Sequence, residues 1–243
     1  MPTASALPVM TAGRRAWLRV PWWGVLSSAA APVLLIGGWT AAAALQPGHF
    51  DAVTGTISAL AARGATDRWV MTAALAGLGS CHLITGLALR PASWPGRLLL
   101  MTGGAATIAV AANPLPAGGG SSLQHGLAAA AGFIALAIWP ACAWRRPDPV
   151  PVSPARPALP LPGQDPGGPD AGSPVPAGLR PVVSIAAALG LLGLLGWFAA
   201  QLWGGGQMIG LTERVVAGAE AIWPLAVVLT ARRGTPQAHI ARS

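Results

Sequence analysis

"WWGVLSSAAAPVLLIGGWTAAAAL", residues 22–45, decides the fold. No ionisable side chain interrupts the chain from Val20 to Gly48. About 20 apolar residues wound as a helix cross about 30 Å of hydrocarbon. A cleaved signal peptide carries an apolar run of only about 7–15 residues, so this stretch is too long for one. Five similar runs follow: Trp69–Leu89, Trp94–Ala112, Leu123–Trp144, Val182–Trp203 and Val215–Ala231. The composition agrees with a membrane reading. Of 243 residues, 53% are apolar and 9% charged, where soluble domains run near a quarter charged. The expected fold class is all-α, a polytopic bundle of six transmembrane helices.

Charge then orients the bundle. All 15 basic residues are Arg. Arg14, Arg15, Arg19, Arg90, Arg97, Arg145, Arg146, Arg156, Arg180, Arg232, Arg233 and Arg242 fall on one side of the six spans. Arg63, Arg68 and Arg214 fall on the other, balanced by Asp51, Asp67 and Glu213. The positive-inside rule gives a multi-pass protein with cytoplasmic N- and C-termini. The net charge of +8 is thus explained by topology and anionic lipid headgroups, and no nucleic-acid partner is expected. Trp22, Trp23, Trp69, Trp94, Trp144 and Trp203 stand at the expected membrane borders.

The organisation follows. Residues 1–20 form a cytoplasmic tail, 21–144 spans one to four, 145–181 a cytoplasmic loop, 182–231 spans five and six, and 232–243 a second tail. The loop 145–181 holds 12 of the chain's 24 prolines and has no apolar periodicity. That composition is a disordered, partly polyproline-II linker. Cys81 and Cys142 lie in apolar runs and have neither disulfide nor metal spacing. No metal and no cofactor is expected.

Between spans one and two lies "FDAVTGTISALAARG", residues 50–64. Asp51 is a suitable N-cap, and Val53, Ile57 and Leu60 recur at i, i+4 and i+7. Arg63 followed by Gly64 suits a helix end, and Thr66 or Asp67 can cap the next helix. The pattern predicts a short extracytoplasmic amphipathic helix lying on the bundle.

Three phrases, "FDAVTGTISALAARGATDRW" (50–69), "NPLPAGGGSSLQHG" (113–126) and "GLTERVVAGAEAIWP" (210–224), occupy matching topological positions. Together they resemble the bacterial six-span membrane proteins called domain of unknown function 998. The resemblance spans most of the chain outside the first 20 residues, the Pro-rich loop and the tail. It implies six helices and an uncharacterised activity. The family pattern often places an acidic residue directly after the Ser of the "IS" pair, where this chain has Ala59.

Polar groups at membrane depth define the candidate site. Glu220 stands about 9 Å along its helix from Arg214, on a different face. An ionised carboxylate at that depth costs at least about 2.5 kcal/mol. A partner from another helix is expected, His125 first and Arg68 next. Pro224 has no N–H, so the carbonyl of Glu220 loses its i+4 donor. His82 shares a face with Leu78, Gly79, Thr85 and Gly86, which reads as close packing with the ring bonded to a neighbouring carbonyl. Gly190, Gly193 and Gly196 of span five, and Ala128 with Gly132 of span four, read as helix contacts.

The expected function is a shallow outward-facing pocket among Asp51, Ser58, Asp67, Arg68, His125, Glu213, Arg214 and Glu220. It would bind or move a lipid headgroup or small solute, with Glu220 accepting protons. Two alternatives stay open. One is an intramembrane lipid-modifying enzyme using Ser58 or a histidine, although no HExxH or G-x-S-x-G is present. The other is an assembly partner docking through its Pro-rich loop. Membrane lipid is an expected partner, and the oligomeric state is not readable.

Overall fold

The computed structural model describes residues 19–118, 120, 122–145 and 175–233. Both chain ends and most of the Pro-rich loop, with Arg14, Arg15, Arg146, Arg156 and Arg242, lie outside the described residues. Among the described residues the fold is all-helical. Six helices are long and apolar enough to cross a membrane. They are α1 (Trp22–Ala44), α3 (Trp69–Ala88), α4 (Trp94–Ala112), α5 (Leu123–Ala143), α6 (Pro181–Trp203) and α7 (Ile209–Arg233), with a single turn α2 (Ile57–Leu60) between α1 and α3. The chain is a multi-pass membrane protein. Five of the six spans begin and end within one residue of their expected limits. The sixth starts six residues earlier than expected, because the polar turn "GLTER" is stabilised by the α1–α3 loop and so can remain helical.

The six long helices close into a ring, each packed against the next in the order α1, α3, α4, α5, α6, α7 and back to α1. Small residues set the closest approaches. A Cβ on Gly79 of α3 would lie 2.5 Å from the Gly104 carbonyl oxygen of α4, and one on Gly96 would lie 2.4 Å from the Ala143 Cα of α5. His82 therefore sits beside a tight backbone contact, as its small-residue neighbours implied. Gly132 also makes an ordinary helix contact, 3.6 Å from Ala106. The glycines of α6 depart from expectation. Among the described residues nothing lies within 4 Å of a Cβ built at Gly190, Gly193 or Gly196, so they mediate no contact there.

The two ends of the ring are finished differently. At the end rich in arginine, Arg97 donates to the carbonyls of Gly86 (2.8 Å) and Leu87 (3.0 Å), the last turn of α3. Arg145 donates to the Ala92 carbonyl at 3.4 Å. At the opposite end the α1–α3 loop folds over the start of α7.

That loop corrects the expectation of a helix beginning at Asp51. Asp51 organises a turn instead: Oδ1 accepts from the Val53 N–H and Oδ2 from the Thr54 hydroxyl, both at 2.8 Å. Those two bonds, the Val53 amide first, hold its carboxyl below the ordinary value of 3.8. Helix starts only at Ile57, capped by the Thr56 hydroxyl, which accepts from the Ala59 N–H at 3.0 Å. Ile57 and Leu60 are buried, whereas Val53 is 43% exposed and leaves the apolar stripe. The physical reason is that the carbonyls of Ala52, Val53 and Gly55 serve α7, so a helix could not also use them. Neither Thr66 nor Asp67 caps α3 with its side chain. Gln46 clamps Thr66 by two backbone bonds, and the Asp67 carbonyl accepts the Val70 N–H.

Candidate functional site

The first half of α7 carries the polar groups. Glu213, Ala217 and Glu220 fall at i, i+4 and i+7, so they share one face, and the two carboxyls are about 10.5 Å apart along the axis. All three line a cavity of about 60 Å³ inside the ring. Its walls include Leu35 of α1, Ile57 and Ser58 of α2, His82 of α3, Thr107 of α4 and Phe133 of α5; α6 contributes nothing. A water requires about 10–15 Å³ of such space, so there is room for a few waters or a small polar group.

At the α2 end of the cavity, Glu213 joins three segments. Its Oε2 accepts the Ile57 N–H at 2.5 Å, one of the donors that the start of a helix leaves unused. Its Oε1 lies 3.3 Å from the Ser58 hydroxyl. Ser58 Oγ in turn lies 3.1 Å from His125 Nε2, and His125 Nδ1 lies 2.8 Å from the Asn113 carbonyl oxygen. Glu213 and His125 are both buried. Ser122 caps α5, its hydroxyl accepting the His125 N–H at 3.2 Å. The cap and the Asn113 carbonyl together fix the ring.

Arg214 secures the loop. Its Nη1 donates to the carbonyls of Ala52 (2.9 Å), Gly55 (2.7 Å) and Gly210 (2.9 Å). The guanidinium also lies 5.9 Å from the Trp39 ring and 5.7 Å from the Phe50 ring. Gly210 is required where the loop crosses α7, since a Cβ there would meet the Gly55 carbonyl oxygen at 2.2 Å. Leu211 N–H donates to the Val53 carbonyl at 3.0 Å.

Deeper in the ring lie Glu220, 2% exposed, and His82, 1% exposed. Glu220 Oε1 and both ring nitrogens of His82 have no hydrogen-bond partner among the described residues. Buried polar atoms are nearly always partnered. Both line the same cavity. Thr107 stands beside them, its own hydroxyl satisfied by the Gly103 carbonyl at 2.9 Å.

The structure thus brings together Ser58, His125 and Glu213, and places Glu220 on the same cavity. Arg214 lies next to them as a loop clamp. Asp51 is exposed in its turn, Asp67 is exposed, and Arg68 stacks over Trp69 at 3.8 Å. Neither His125 nor Arg68 partners Glu220; His125 is engaged by Ser58 and Asn113. Sequence reasoning read His82 as packing with its ring bonded to a neighbouring carbonyl, but the ring finds no such partner among the described residues. Its one signal was a titratable residue within an otherwise apolar span. The i, i+7 spacing of Glu213 and Glu220 was also in plain view. Among the described residues no three His, Cys, Asp or Glu side chains group as metal ligands.

The family described as "Protein of unknown function (DUF998)" matches residues 28–230, which include all six long helices but the first turns of α1 and the last of α7. The chain belongs to the DUF998 family. No curated protein and no solved structure gives a match. In this DUF998 protein the matched region includes the whole cavity wall.

Proposed function

We propose that the protein binds or moves a small solute or lipid headgroup through the ring cavity, as a multi-pass protein of a bacterial plasma membrane with cytoplasmic termini. The observation that carries this is the pair Glu220 and His82, buried, unpartnered and lining one cavity. The lining also narrows the ligand. It offers two carboxyls and no arginine; Arg214, outside the lining, gives Nη1 to three loop and helix carbonyls and keeps a buried Nη2 without a partner among the described residues. An amine or other donor-rich group suits that wall better than an anionic phosphate. Glu220 accepts the donor or its proton, and His82 supplies either a donor or an acceptor.

The test uses the full chain in lipid nanodiscs, with ethylammonium, ethanolammonium and inorganic phosphate as probes. The amines should raise the thermal midpoint, by about 2.7 kcal/mol of stability at a hundred times Kd. Phosphate should not, and Glu220→Gln should abolish the effect. Stabilisation by phosphate alone, or an unaltered Glu220→Gln response, contradicts the proposal.

A second reading draws on the Ser58–His125 contact. A hydroxyl 3.1 Å from an imidazole whose other nitrogen is held by a carbonyl fits the nucleophile, base and orienter arrangement of an intramembrane lipid-modifying enzyme. Covalent labelling of Ser58 by a fluorophosphonate, lost in His125→Ala, would favour it; no labelling would remove it.

A further inference from the structure

Glu213 is served by the backbone N–H groups of Ile57 and Ser58, but the two side-chain contacts of the Ser58 hydroxyl, to Glu213 and to His125, cannot both hold a hydrogen without an extra proton. The Asn113 carbonyl can only accept, so His125 Nδ1 carries a hydrogen. Ser58 has a single hydroxyl hydrogen and stands between Glu213 Oε1 at 3.3 Å and His125 Nε2 at 3.1 Å. If Glu213 were ionised and His125 neutral, both flanking atoms would be acceptors, and one contact would lack a hydrogen. Adding one proton completes both. On Glu213 Oε1, the carboxyl donates to Ser58 Oγ and Ser58 donates to Nε2. On Nε2, the imidazolium donates to Ser58 Oγ and Ser58 donates to Oε1. The two forms interconvert as one O–H bond breaks at Glu213, one forms and one breaks at Ser58, and an N–H bond forms at His125. In either form Glu213 and His125 together are net neutral, as a water-poor interior favours.

The geometry points to a proton-binding site at the α2 end of the cavity, in which Glu213, Ser58 and His125 hold one exchangeable proton in common. It is distinct from Glu220 and independent of what fills the cavity. Ser58 and Glu213 form part of the cavity wall, so the shared proton faces the contents directly. The surrounding charges come from few elements. Arg214 adjoins Glu213 on α7, with Asp51 across the loop from it. His82 of α3 and Glu220 of α7 share the cavity, while α1 and α4 present only Leu35, Thr107 and Val110 to it. From α5 the titratable neighbour is His125 itself.

The experiment titrates the full chain in nanodiscs without added ligand. It reads histidine ring nitrogens by ¹⁵N NMR and carboxyl stretching by pH-difference infrared, with Glu213→Gln, His125→Gln and Ser58→Ala for assignment. In the wild type, the Glu213 and His125 signals should change together at one midpoint, and the neutral His125 ring should carry its hydrogen on Nδ1. Glu213→Gln, close in shape, should weaken proton binding at His125 at least about tenfold, or one pH unit. Ser58→Ala should split the common midpoint in two. A hydrogen on Nε2 of the neutral ring, or a His125 titration indifferent to Glu213→Gln, overturns the proposal. If Ser58→Ala does not fold, the wild-type tautomer and the Glu213→Gln curve decide the matter.

Discussion

Helices α6 and α7 are neighbours in the chain and in the ring, yet they are built on opposite logic. The most apolar stretch of α6 has a mean hydropathy of 2.2 and only 22% of it is buried; for α7 the values are 1.5 and 39%. The greasier helix faces outward. Val182, Leu189 and Trp203 of α6 are 79%, 65% and 84% exposed, whereas Glu213 and Glu220 of α7 are almost fully buried. Where lipid is the solvent, apolar surface gains nothing by being hidden, and polar groups must find partners inside. Between these two helices the more apolar one lies on the outside, and the residues that weaken the other are turned to the interior of the ring.

Glycine offers the sharpest way to break that contrast. Gly210→Leu should drive a side chain into the loop backbone and cost about 3 kcal/mol or more, measured by thermal unfolding in nanodiscs. Gly193→Leu, on α6, should change stability by no more than about 0.5 kcal/mol. Equal effects would mean that α6 packs as tightly as α7.

Glu213→Leu comes next. It leaves the Ile57 N–H buried without an acceptor and should cost about 2–3 kcal/mol. Glu213→Gln keeps an acceptor at that place and should cost less than half as much, so a similar loss for both would deny the carboxyl its structural part. Arg214→Ala should cost about 1.5 kcal/mol. The effect is smaller because the bond to the Ala52 carbonyl is exposed to solvent and those to Gly55 and Gly210 are only part-buried. The α1–α3 loop should then become open to proteolysis between Asp51 and Gly55, while α6 remains resistant.

The smallest effect concerns pH at the loop. The Asp51 carboxyl is held below 3.8 by the Val53 and Thr54 bonds. A depressed value in the folded state contributes stability above 3.8 that is lost as pH falls through the folded value. Protection of the Val53 and Gly55 amides, meaning their exchange relative to an unstructured peptide at the same pH, should therefore fall only as pH drops below 3.8 and through the folded value. Asp51→Asn should flatten the response.

The spans and their borders were legible because apolar length is a local property and each run is bounded by arginine or tryptophan. The α7 start was misplaced because its stabilising partners, residues 52–58, are more than 150 positions away in the chain. Asp51 likewise had the chemistry of a helix cap, but the competing demand of α7 for the loop carbonyls lies outside any local window. The site was half legible. Glu220 and His125 stood out as polar residues in apolar surroundings, but only the folded ring shows that His125 meets Ser58 rather than Glu220. His82 was discounted because a tight glycine contact beside it gave packing a sufficient explanation.

The most direct test of the central claim is an accessibility scan along both helices. Single spin labels placed at successive positions of α6 and α7, with Cys81 and Cys142 replaced, would be read against oxygen and against a polar nickel reagent. Labels at Ala217 and Glu220 should show low oxygen and higher polar access, and those at Gly190, Gly193 and Gly196 the reverse. High oxygen access at Ala217 and Glu220 would put that face of α7 in lipid and contradict the account.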